Sequence, residues 1–135
     1  MLGHLGVNVP ALAPAREYYE ALMPLLGYEV FFAHDDEVAF LPAGGRRGAY
    51  LFLYEAREPG DHSRHRTGLQ HLAFTVPSRD AVRAVHAFVA ARDDEVVQAP
   101  QEFPQYPPPY FATFWLDPHG FLLEAVCHHD RDALP

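Results

Sequence analysis

Apolar and polar positions alternate along residues 2–10, LGHLGVNVP: Leu5, Val7 and Val9 fall on one side of an extended chain, and His4, Gly6 and Asn8 on the other. Residues 69–77, LQHLAFTVP, repeat the pattern, with Leu72, Phe74 and Val76 opposite His71, Ala73 and Thr75. A period of two describes a half-buried β-strand. Aligning His4 with His71 also matches Leu5 with Leu72, Val9 with Val76 and Pro10 with Pro77. Each copy then runs through its proline into an Ala-rich stretch of helical period, which marks an internal repeat. Leu12, Ala15, Tyr19 and Leu22 form the apolar stripe of the first, and Val82, Val85 and Val89 that of the second. The first helix is predicted from about Ala13, where Pro14 is tolerated in the opening turn, to a stop at Pro24 and Gly27. Ser78 is placed to cap the second.

Short β-rich runs follow each helix: Tyr28–Ala33, Glu37–Leu41 and Ala49–Glu55, then Glu95–Gln98, Tyr110–Leu116 and Phe121–Cys127. The last two are joined by Asp117-Pro118-His119-Gly120, a turn with proline second and glycine fourth. Both halves read β-α-β-β-β, an α+β protein with a first module over 1–56, a polar linker over 57–68, a second module over 69–129 and a tail over 130–135. At 135 residues, nearly half of them hydrophobic, the chain is long enough to form one compact domain from the two modules. The net charge of −8 argues against a nucleic-acid partner. The lone Cys127 excludes an internal disulfide framework, and no apolar run approaches a membrane span. A cytoplasmic protein with no membrane partner is expected.

Of the nine histidines, His34, His62, His65, His119, His128 and His129 fall in turns, linker or tail, where solvated surface is expected, and His86 lies on the second helix, where a boundary position between buried and exposed faces is expected. His4 and His71 differ, because the repeat gives them equivalent strand positions. Glu124 in the last strand shares a face with Leu122 and Val126, and a buried carboxylate without a partner is costly. Two imidazoles and a carboxylate form a known ligand set for a divalent metal with open positions. Spacing alone equally admits two core histidines bonded to backbone and a glutamate paired to an arginine.

The paired β-α-β-β-β units, the strand-opening His4 and His71, and the closing stretch FWLDPHGFLLEAV (residues 114–126) resemble the vicinal oxygen chelate superfamily. Its members include glyoxalase I, extradiol dioxygenases, fosfomycin-resistance enzymes, methylmalonyl-CoA epimerase and bleomycin-binding proteins. The resemblance covers nearly the whole chain, and its most specific element is the D-P-x-G turn followed four residues later by Glu124. It implies modules that curl into a cup-shaped mixed sheet with the helices outside. It also implies a homodimer, a small-molecule substrate, and one divalent metal (Fe2+, Mn2+, Zn2+ or Ni2+) held by His4, His71 and Glu124.

Many members carry a fourth ligand on the last strand of the first module, where this chain reads YLFLYEA and places Phe52 at the matching position. Glu55 has the opposite strand parity and becomes a ligand only if a bulge shifts the register. Three ligands resemble the dioxygenase and fosfomycin-resistance branches more than the isomerases, so dioxygenase-, lyase- or isomerase-type chemistry on an oxygen-chelating substrate is expected. Glu124 and Tyr54 are the candidate catalytic residues, and Phe52, Tyr106, Tyr110 and Arg66 candidate substrate contacts. The basic run Arg64-His65-Arg66 also fits a solvated linker, and the prolines around Tyr106 a stiff packed loop. The rival from another class is a non-enzymatic protein that sequesters a drug, as the bleomycin-resistance members do.

Overall fold

The computed structural model describes residues 1–129, so the expected tail over 130–135 lies outside the described residues. The chain divides into two compact units, Met1–Gly60 and Asp61–Pro135. In the first, β1 (His4–Val9) leads into α1 (Leu12–Leu22), a 3-10 turn (Met23–Leu26), and strands β2 (Tyr28–Ala33), β3 (Glu37–Pro42) and β4 (Tyr50–Glu55). The second repeats the order with β5 (Leu72–Thr75), α2 (Arg79–Ala91), β6 (Val96–Glu102), β7 (Phe111–Leu116) and β8 (Leu122–Cys127). Each unit carries a four-stranded mixed sheet, β1-β4-β3-β2 and β5-β8-β7-β6. The last strand of each unit is therefore internal, parallel to the first strand on one side and antiparallel to the third on the other. The α+β class and both β-α-β-β-β orders are as the periodicity predicts.

Both helices bury the stripes predicted for them: Leu12, Ala15, Tyr18, Tyr19 and Leu22 on α1, and Val82, Val85 and Val89 on α2. Each fully buried valine contributes on the order of 1.5–3 kcal/mol. Ser78 caps α2 by accepting from Ala81 N–H at 3.0 Å. The start of α1 at Ala11 has no side-chain cap of its own. Instead Glu55, at the end of β4, accepts from Leu12 N–H at 3.0 Å and sets a negative charge at the positive end of the helix. Pro24 does not end the helical path; the chain tightens to a 3-10 turn, which Gly27 closes at φ 82°.

The largest departure from the sequence reading is β6, which runs to Glu102 rather than stopping at Gln98. It lies at the sheet edge and shifts register on both sides of Gln98, so Pro100 costs no ladder bond in a central strand. Thr113 Oγ1 donates to Gln98 O at 2.8 Å across the irregularity. The β7–β8 turn is fastened by Asp117, a buried carboxylate whose Oδ1 accepts from His119 N–H at 2.9 Å and Phe121 N–H at 2.8 Å. This fastening fixes the pairing of Phe114 with Glu124. No helix among the described residues is long and apolar enough to cross a membrane.

Candidate functional site

Glu124 is the chemical anomaly of the second unit. It sits on β8, whose six residues are all buried, and is itself 1% exposed. Its neighbours in register are Ala73 on β5 and Phe114 on β7, so the carboxylate rises from an apolar floor. One oxygen, Oε1, accepts the Tyr110 hydroxyl hydrogen in a short bond. Burial, and then the bond and charge of Glu124, push the Tyr110 phenol well above its ordinary range, so it stays a donor. The other oxygen, Oε2, is buried and has no hydrogen-bond partner. Leaving such an atom unsatisfied costs about 1–3 kcal/mol, and more for a charged group.

What faces Oε2 is His71 Nε2, at 3.4 Å and poorly aligned for a hydrogen bond. The other ring nitrogen, Nδ1, bonds to Gln70 Oε1. An amide oxygen only accepts, so this contact suits an Nδ1–H, and in that tautomer Nε2 presents a lone pair toward Oε2. Two lone-pair atoms aimed at each other are held together by a cation or a proton between them. Donors bound to one ion at roughly 2.1 Å stand about 3.0–3.4 Å apart, depending on the angle at the metal. The Gln70 contact is also the kind of outer support that orients a ligating imidazole. Among the described residues, no group of three or more His, Cys, Asp or Glu side chains stands close enough to hold an ion. The second unit thus offers two donors of a set.

Strand pairing in the first unit identifies the counterpart of Glu124. Gly6 on β1 faces Phe52 on β4, as Ala73 on β5 faces Glu124 on β8, and the repeat equates Gly6 with Ala73. Phe52 therefore occupies the register position of the missing carboxylate. His4 lies two residues before Gly6, as His71 does before Ala73, and its ring lies 5.2 Å from that of Phe52. Phe32 meets Phe52 edge-on at 5.9 Å, His34 stacks on Phe32 at 4.9 Å, and Tyr54 lies nearly parallel to Phe52 at 6.3 Å. A Cβ on Gly6 would come within 3.2 Å of the Tyr54 ring, so the absent side chain lets that ring lie over the strand. β4 pairs with β1 and β3 without a bulge, and Glu55 caps α1, so nothing in this strand turns Glu55 onto the face of Phe52.

The remaining candidates are dispersed. Tyr54 borders an open hollow of about 650 Å³ whose walls carry Asp36, Glu37, Glu55 and Glu58 against the single basic Arg57. Tyr106 is exposed and lies 4.8 Å from the ring of Tyr110, which the loop before β7 holds in place through a Phe103 N–H to Tyr110 O bond of 3.0 Å. Arg66 is occupied within its own segment, donating to Asp61 O at 3.1 Å. Two histidines depart from the solvated surface expected of them. His62 stacks on Phe121 at 4.4 Å, and the Nε2 atoms of both His62 and His119 are buried. The chain after Asp61 folds back onto the β7–β8 turn, with His62 O 3.6 Å from a Cβ built on Gly120, and hydrophobic contact with Phe121 outweighs the polarity of the segment. The Tyr110–Glu124 bond is a contact at the candidate site that sequence reasoning missed. Tyr110, just before β7, and Phe114 within it pack on the same buried cluster of Phe103, Ala112 and Val126.

Comparison with known proteins settles the family. The model of the Glyoxalase/Bleomycin resistance protein/Dioxygenase superfamily matches residues 1–125. The chain belongs to this superfamily. Among solved structures, the chain is similar to a candidate glyoxalase from Bacillus halodurans, with 27% identity and a TM-score of 0.78 over 94% of this chain and 95% of that one. It shares the fold of the genomically encoded fosfomycin resistance protein FosX from Listeria monocytogenes, with 17% identity and a TM-score of 0.68 over 99% and 98% of the two chains. It also shares that of lactoylglutathione lyase from Agrobacterium tumefaciens, with 17% identity and a TM-score of 0.63 over 94% and 92%. A search of curated proteins finds no match. The superfamily fold explains why the two halves repeat and why the internal strand of each carries the residue of interest, Phe52 in one and Glu124 in the other.

Proposed function

We propose that this superfamily member is a metal-dependent enzyme acting on a small molecule that chelates through two oxygens, with His71, Glu124 and His4 as ligands. The observation that carries the reading is the buried, unpartnered Glu124 Oε2 with His71 Nε2 3.4 Å away, beside an otherwise apolar floor. Nitrogen and carboxylate donors suit Fe2+, Mn2+, Zn2+ or Ni2+. His4 enters as the repeat partner of His71, and the family resemblance supports it. When bound, such an ion supplies Lewis-acid polarisation of substrate oxygens, or oxygen activation if it is iron.

The chain's own residues then have distinct tasks. Gln70 orients the His71 ring through its Nδ1, and Tyr110 holds Oε1 of Glu124 so that Oε2 remains available. Phe52 contributes no donor where a carboxylate would otherwise compete with substrate oxygens. Tyr54, whose ring lies nearly parallel to that of Phe52 at 6.3 Å, is the proposed proton donor or acceptor for a substrate oxygen. Dioxygenase-, lyase- or isomerase-type chemistry is compatible with this set, and a homodimer in the cytoplasm is the expected setting.

Co2+-loaded protein tests the reading. Adding acetohydroxamate, catechol or a 2-hydroxy acid should change the visible ligand-field spectrum with one-to-one stoichiometry. No spectral change with any of the three would remove the oxygen-chelating assignment. Protein that takes up no Co2+ at all would favour drug sequestration without metal.

A further inference from the structure

The two oxygens of Glu124 have different fates. Oε1 is the acceptor of the Tyr110 hydroxyl, while Oε2, equally buried, is open toward His71 Nε2. Tyr110 is not free to swing away. Its ring packs edge-on against Phe103 at 5.8 Å and His128 at 5.0 Å, against Tyr106 at 4.8 Å, and its carbonyl accepts from Phe103 N–H at 3.0 Å. A carboxylate with both oxygens available can close a four-membered chelate on a cation and occupy two coordination positions. With Oε1 already engaged by a fixed donor, that second attachment requires breaking a charge-assisted hydrogen bond in a buried setting, where such bonds are strongest.

We infer that Tyr110 is a positioning residue that restricts Glu124 to ligation through Oε2 alone, keeping one further coordination position open for substrate. This rests on the reading of Glu124 as a metal ligand and adds to it the division of labour between its oxygens. Tyr110 acts through Glu124 and touches no reacting atom. At the matching register position of the first unit's own sheet stands Phe52, which has no oxygen.

The experiment compares wild type with Tyr110→Phe, which keeps the ring packing and removes the hydroxyl. With Mn2+ as the probe, water-proton relaxation counts exchangeable waters on the bound ion. The inference expects one water fewer per bound Mn2+ in Tyr110→Phe, Mn2+ affinity equal to or tighter than wild type, and acetohydroxamate affinity weakened about tenfold. An unchanged water count overturns it, and so does a loss of Mn2+ affinity without change in water number, which is what a loosened loop would give. Glu124→Gln separates the two levels. If that variant binds Mn2+ as well as wild type does, the ligand reading itself falls. If it binds poorly while Tyr110→Phe keeps the full water count, only the role of Tyr110 is lost.

Discussion

In the Glu124→Gln variant the side chain keeps its size, and its carbonyl oxygen can still accept the Tyr110 hydroxyl hydrogen. The second position changes from an acceptor to an NH2 group facing His71 Nε2, which stands 3.4 Å from the present oxygen. The buried anionic acceptor with no partner is replaced by a neutral NH2 group that no longer opposes an Nε2 lone pair. Relieving one such atom is worth about 1–3 kcal/mol, so the metal-free variant should be more stable than wild type by on the order of 1–2 kcal/mol. For a chain of this size that corresponds to a rise of roughly 3–6 °C in unfolding midpoint. Metal should act in the opposite sense. A ligand present at about one hundred times its Kd stabilises a protein by about 2.7 kcal/mol, and glutamine lacks the charge to sustain that affinity. Thermal unfolding followed by circular dichroism, in EDTA and in excess Mn2+, measures both differences on the same samples. A variant less stable than wild type in EDTA, or one stabilised equally by Mn2+, would refute the claim that Oε2 is kept for a cation.

Three further outcomes follow from particular contacts. Phe52→Glu should tighten Mn2+ and remove one exchangeable water by relaxation, because residue 52 holds the register position of Glu124; an unchanged water count would place it away from the ion. Asp117→Ala leaves the N–H groups of His119 and Phe121 without their acceptor and should cost about 2–3 kcal/mol in urea unfolding without metal, whereas a loss below about 0.5 kcal/mol would show that the turn does not depend on it. Burial holds the Tyr28 phenol above its ordinary 10.0, against the opposing pull of the Arg46 guanidinium. The unfolded chain therefore releases this proton first, and the contribution of Tyr28 is complete below about pH 10 and falls as pH rises past it. Between roughly pH 8 and 11, Tyr28→Phe should lose less stability than wild type, and equal losses would contradict this assignment.

Local periodicity carried most of the fold. The strand pair His4–Val9 and Leu72–Thr75, both helices and their buried stripes are legible because one face of each element meets water and the other does not. Elements at an edge were less legible. The extension of β6 through Pro100 depends on its place in the sheet, which local pattern does not encode. The site divides along the same line. Glu124 stands out in sequence as an acid among apolar residues, and pairing register then shows Phe52 to be its counterpart. The Tyr110–Glu124 bond joins the segment before β7 to β8, so it depends on tertiary register rather than spacing. His62 carried no sequence signal either, since its burial comes from a polar segment folding back on Phe121.

The central claim is that the Glu124–His71 pair is built around a cation. Metal analysis of protein purified without a histidine tag, followed by Mn2+ titration of wild type and His71→Ala, tests it most directly. One divalent ion per chain in wild type, with affinity reduced at least a hundredfold in His71→Ala, is expected. Equal and negligible affinity in both proteins at neutral pH would contradict it.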